Sequence, residues 1–125
     1  MTILSLEQIL ELHALMVSET GGSSGLRDLG RLEAAVATQT QAAFGRELYA
    51  DVFEKAAALA RGVIADHAFV DGNKRTGMLA ALTFLQSNGQ SFQTNPGELE
   101  DFAVRIAVDH LDVPAIAAWL RAHCR

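Results

Sequence analysis

A histidine, a carboxylate, a glycine, a carboxamide and two cations fall within nine residues of this chain, in the run His67-Ala68-Phe69-Val70-Asp71-Gly72-Asn73-Lys74-Arg75. Those residue types suit chemistry on phosphate. Histidine is the side chain that exchanges a proton near neutral pH, so His67 is a candidate general base for an attacking hydroxyl. A hard cation such as Mg2+ takes a carboxylate and fills its other positions with water and substrate phosphate, which makes Asp71 a candidate metal ligand. Gly72, Asn73, Lys74 and Arg75 can cradle phosphate with free amides, a carboxamide and two positive side chains.

Plainer readings exist for most of them. Asp71 can be a helix N-cap, Gly72 can ease a turn, His67 can end a helix and Phe69 can anchor the core. Lys74 and Arg75 resist such a reading. In the first turn of a helix each cation faces the positive end of the dipole, at a cost on the order of a few tenths of a kcal/mol. A bound anion reverses that sign. As a set, the residues fit phosphoryl or nucleotidyl transfer.

The elements that must position this run are helices. Ser5 followed by Gln8 is a capping box, and Ile9, Leu12, Leu15 and Met16 repeat at helical spacing until Gly21-Gly22. The segment Gly21-Gly22-Ser23-Ser24-Gly25 lacks the Gly-Lys-Ser/Thr ending of a phosphate loop and follows a helix, so it is read as a plain connector. Asp28 can cap a second helix through Leu32, Ala35 and Val36, and residues 40–50 suit an irregular segment or a short hairpin. A third helix is predicted from about Asp51 to Asp66, and a fourth from about Asn73 to Ser87. No charge occurs between Arg75 and Glu98, so the fourth should be central and buried. Asn95-Pro96-Gly97-Glu98 reads as N-cap, N1 proline and N3 glutamate of a helix to about His110. Asp112 starts a last helix through Ile116, Trp119 and Leu120. The expected fold class is all-α, a helical bundle around residues 73–87.

Composition limits the rest. The chain has 125 residues, half of them hydrophobic, with few aromatics and two prolines. That predicts one globular, helix-rich domain over residues 1–125. A formal net charge of −5 argues against charge-driven binding to nucleic acid. Cys124 is the one cysteine, which rules out a disulfide framework. The N-terminal residues resemble neither a signal peptide nor a membrane span, so a cytoplasmic protein without membrane association is expected. His13, His110 and His123 are assigned ordinary surface or helix-end roles. Asp109-His110 with Asp112 could hold a metal, but helix-end capping is the simpler account. Arg27 and Arg31 could line the site or be solvated.

At residues 67–75 the sequence resembles the Fic/Doc family, whose loop reads His-x-Phe-x-Asp/Glu-Gly-Asn-x-Arg. His67, Phe69, Asp71, Gly72, Asn73 and Arg75 keep every fixed position. Lys74 and Arg75-Thr76 resemble the Doc (death-on-curing) toxin branch. So do Gly21-Gly22, Gly25-Leu26-Arg27-Asp28, Gly30-Arg31-Leu32-Glu33 and Phe84-Leu85-Gln86-Ser87-Asn88-Gly89. The resemblance implies a Fic fold and a toxin that uses ATP and Mg2+ to modify a hydroxyl of a protein target. In the Doc branch it implies kinase-like transfer of phosphate to a threonine of elongation factor Tu, arresting translation. It assigns the base to His67, the metal to Asp71 and phosphate contacts to Asn73, Lys74 and Arg75.

Ala68 stands where many relatives have proline. Met78 stands where AMP-transferring members carry a second arginine, which argues against the alternative of AMP transfer. A non-catalytic module with a relic site is a further alternative, opposed by the intact His67 and Asp71. The self-inhibitory motif Ser/Thr-x-x-x-Glu-Gly/Asn is incomplete, because Leu99 follows Thr94 to Glu98. Silencing is therefore expected from a separate small antitoxin, similar to the Phd partner of Doc.

Overall fold

The capping box at the first helix forms as its residues require. Ser5 Oγ accepts from the Gln8 amide at 3.1 Å and Gln8 Oε1 accepts from the Ser5 amide at 2.8 Å. In the computed structural model, which describes all 125 residues, this starts α1 at Leu6–Thr20. Gly21, left-handed at φ 80, ends it. Asp28 caps α2 (Leu29–Ala37), Asp51 caps α3 (Val52–Asp66) and Asp112 caps α6 (Val113–Ala122), each accepting from the amide three residues on. Between α3 and α6 lie α4 (Asn73–Ser87) and α5 (Glu98–Val108). The ambiguous segment resolves as a small antiparallel hairpin, β1 (Ala42–Ala43) with β2 (Arg46–Glu47), in register Ala42 to Glu47.

Two local readings need correction. The helix α5 starts at Glu98 with Gly97 (φ 87) as its N-cap, not at Pro96 after an Asn95 cap. Glu98 still reaches back to the Asn95 amide at 2.7 Å. Pro96 and Gly97 form a turn instead of a first helical turn, because Gly97 takes the left-handed conformation. Likewise Asp71 is not the cap of α4: Gly72 holds that position, with no side-chain cap bond.

The uncharged helix α4 is central, packed on α1, α3 and α5. It shares the centre with α3, which touches α2, α4, α5 and α6. Ala56, Ala57, Ala58, Leu59 and Ala60 of α3 are all buried. The small side chains of the four alanines let neighbouring helices approach from several sides. Even Lys55 is buried there, its Nζ donating to the Gln39 carbonyl at 2.7 Å and to Glu47 at 3.1 Å. One contiguous core of 23 buried residues joins the helices. Its architecture has a direct bearing on residues 67–72, which connect the ends of the two central helices. No helix is long and apolar enough to cross a membrane.

Candidate active site

The loop leaves α3 at His67, which adopts a left-handed conformation at φ 49. This turns the chain sharply, and the His67 side chain stands in solvent. Ring hydrogen bonds are made by His13 and His123, while His67 makes none, so its nitrogens are free. Two residues on, Phe69 is buried. Burying a phenyl ring stabilises by about 1.5–3 kcal/mol, enough to pin the middle of a short loop.

Asn73 completes the pin. Its Oδ1 accepts from the Phe69 amide and its Nδ2 donates to the Phe69 carbonyl, both at 2.9 Å. The side chain is buried and fully committed to the loop. The carboxamide expected to face phosphate is thus spent on structure, and Asn73 offers a ligand its backbone N–H instead.

Gly72 takes φ 78, a conformation a side chain would strain. Without a side-chain cap, the amides of Asn73, Lys74 and Arg75 have no acceptor in the chain, and the first amide bonded is that of Thr76, to the Gly72 carbonyl. Lys74 and Arg75 are exposed on this same turn. Neither has a carboxylate partner, as the ion pairs of the chain lie elsewhere. Unmatched amides and unmatched cations therefore occupy the positive end of one helix.

The Asp71 carboxylate lies beside that turn. Its Oδ1 accepts from the Gly72 amide at 2.9 Å and its Oδ2 from the Ser23 amide at 3.3 Å. A cavity of about 220 Å³ opens there, lined by Gly22, Asp71, Gly72, Lys74 and Arg75 with the last turn of α1. No group of three or more potential ligands occurs in the chain. One exposed carboxylate among free amides and cations fits a cation held jointly with phosphate, and does not fit a metal held by protein alone.

The connector 21–25 proves to be part of the site's framework. Gly25 accepts from the Val70 amide at 2.9 Å, and Ala68 accepts from the amides of Arg27 and Asp28. Arg31 donates to the Asp66 carbonyl at 2.8 Å, which binds α2 to the end of α3 just before His67. His13 also departs from the surface role expected of it. It is 2% exposed, stacked on Phe69 and hydrogen-bonded to the loop. Its sequence signal was its place on the core face of α1, four residues after Ile9. By contrast, His110 is exposed beyond α5, and Asp112 caps α6 without binding any neighbour that would make a metal site. The cavity of about 430 Å³ lined by Gln93, Asn95, Glu98 and His123 shares no residue with this loop.

Known proteins are similar to this chain across the region that holds the loop. The model of the family described as "Fic/DOC family" matches residues 3–85. A protein named "Toxin Doc" from Mycolicibacterium smegmatis is 40% identical over 102 residues, covering 80% of this chain and 78% of that protein. A "Protein kinase doc" from Escherichia phage P1 is 36% identical over 118 residues, covering 94% and 92%. The matched region contains the whole 67–75 loop with α1 and the connector that hold it, so the chain belongs to the Fic/Doc family.

Proposed function

We propose that this protein is the toxin of a toxin–antitoxin pair and transfers the γ-phosphate of ATP to a threonine or serine hydroxyl of a translation factor. The observation that carries the reading is the first turn of α4. Three unbonded amides and two unpaired cations gather there beside the exposed Asp71 carboxylate, and the exposed His67 begins the same short loop. The phage relative is called a protein kinase, which supports phosphate transfer. Elongation factor Tu is the target implied by the Doc resemblance.

In this reading the amides of Asn73, Lys74 and Arg75 and both cationic side chains bind the terminal phosphate, with Gly72 giving it close access. Asp71 would hold Mg2+, which when bound neutralises phosphate charge. His67 takes the proton from the target hydroxyl. The hydroxyl oxygen forms a bond to the terminal phosphorus, the bond from that phosphorus to the bridging oxygen breaks, and ADP leaves with the electron pair. His67 then releases its proton to solvent. A cavity of about 220 Å³ is smaller than the roughly 300 Å³ at which drug-sized pockets begin, so it suits the phosphate end of the nucleotide.

Lys74 supports the kinase orientation, placing a cation where AMP-transferring relatives have glycine. Met78 supports it too. Its side chain is buried in the core, so the outer phosphates of an AMP donor find no arginine one turn further along. The enzyme, its target and ATP labelled at either the α or the γ phosphorus test the reading directly. Label on the target from the γ position alone is expected. Transfer from the α position with release of pyrophosphate would establish the AMP-transferring alternative instead.

For the antitoxin, an apolar groove of about 420 Å³ runs between α1, α4 and α5, lined by Leu12, Leu15, Met16, Leu79 and Leu99. Lys74 and Arg75 also line it. A Phd-like segment with an apolar helix face and a carboxylate at one end would fill it and neutralise the two cations.

A further inference from the structure

The helix α1 reaches the candidate metal ligand through one buried side chain. His13 lies between Ile9 and Met16 on the core face of α1. Its ring stacks on Phe69 at 3.8 Å between centroids, with planes 8° apart. Its Nε2 is 2.8 Å from the carbonyl oxygen of Asp71. A carbonyl only accepts, so Nε2 carries the hydrogen and donates it.

We infer that His13 is a positioning residue that orients the Asp71 carboxylate for its cation. The inference rests on reading Asp71 as the metal ligand. The link is the planar, trans peptide between Asp71 and Gly72. Its carbonyl and its N–H point in opposite directions, so tying the carbonyl to α1 turns the Gly72 N–H away from α1. That N–H is the donor to Asp71 Oδ1, at 2.9 Å. His13 thereby sets the peptide plane, the plane aims the N–H, and the N–H holds one carboxylate oxygen.

The other carboxylate oxygen is held from the connector. A Cβ on Gly22 would lie 2.5 Å from Asp71 Oδ2, so only glycine leaves that oxygen its place beside the Ser23 amide. Met16, one turn on from His13, fills the space that a side chain on Gly72 would need. Aromatic packing alone would be met by any flat apolar ring. The imidazole adds the one thing a phenyl ring lacks, a donor at Nε2.

The test uses the intact chain and separates this inference from the function it builds on. In the wild-type protein, long-range nitrogen–proton NMR of the His13 ring should show the Nε2–H tautomer. The Nδ1–H tautomer would overturn the inference without any mutation. His13→Phe keeps the stack and loses the donor, so the Gly72 amide should exchange with solvent about tenfold faster, the scale of one hydrogen bond. Amides in the middle of α3 should be unaffected.

Calorimetry with Mg2+ and a non-hydrolysable ATP analogue should show apparent metal affinity about tenfold weaker, with His13→Gln, which restores a donor, recovering most of it. Unchanged Gly72 exchange in His13→Phe, or a loss that His13→Gln fails to repair, would overturn the positioning role. Wild-type protein that binds no Mg2+ and nucleotide, yet shows the Gly72 response, would refute the proposed function and leave the geometric role of His13 supported.

Discussion

At the scale of single residues, the loop separates groups committed to structure from groups left free. Phe69 and the Asn73 side chain are buried and bonded, and His13 braces them from α1. His67, Asp71, Lys74 and Arg75 are exposed. Replacing His67, Lys74 or Arg75, whose side chains bond to nothing in the chain, should therefore cost activity and little stability. His67→Ala is expected to lower the transfer rate by about 10²–10⁴, the usual share of a general base, with near-wild-type melting and nucleotide affinity. Asp71→Ala should differ in kind, since nucleotide binding itself should lose its dependence on Mg2+. Kinetic assays alongside calorimetry with and without the metal distinguish the two. If His67→Ala retains full transfer, the base lies elsewhere. If Asp71→Ala keeps its metal dependence, that carboxylate serves only the Gly72 and Ser23 amides.

At the scale of elements, the ends of α5 and α6 are fastened by a pair that titrates. His123 Nδ1 lies 2.7 Å from the Trp119 carbonyl and Nε2 lies 3.1 Å from Glu98 Oε2. Both partners accept, so the protonated ring, which donates from both nitrogens, is favoured. The Trp119 carbonyl first, and then Glu98, raise the His123 pKa above its ordinary 6.5. The Asn95 amide first, and then His123, lower that of Glu98 below 4.5.

A raised histidine stabilises fully below its unfolded value and loses that contribution as pH rises through the folded one. A depressed glutamate stabilises above its unfolded value and loses it as pH falls through the folded one. The fastening is thus complete between pH 4.5 and 6.5. Thermal melts of wild type and Glu98→Gln should differ most inside that window and converge toward higher and lower pH. A constant difference across the range would mean that the charges contribute nothing.

At the scale of the whole molecule, α1 serves two regions at once. Its buried face braces the loop through His13 and Met16, and its outer edge forms one wall of the apolar groove. Leu15 is 61% exposed on that edge and takes no part in the core. Leu15→Lys should leave transfer unchanged and weaken inhibition by the antitoxin, because a lysine cannot be buried under an apolar helix face without losing its hydration. A cell carrying both proteins should then stop growing when Leu15→Lys is present and grow with wild type. Full protection of the variant by the antitoxin would place the partner on another surface.

Much of this was legible along the chain, because it depends on residues close in sequence. Ser5 with Gln8, Asp28, Asp51 and Asp112 announce helix starts through bonds spanning three residues. The 67–75 cluster is contiguous, so the order of its residues already puts a histidine, a carboxylate and two cations in one short segment. Tertiary structure decided what those groups are free to do. The contact from His13 to Asp71 spans 58 residues and that from Ser23 spans 48, and no local pattern encodes either approach. The same holds for Asn73, whose carboxamide has suitable acceptors and donors both in a ligand and in the Phe69 backbone. Packing of Phe69 under α1 settled that competition, since a buried loop backbone must find its hydrogen bonds within the protein.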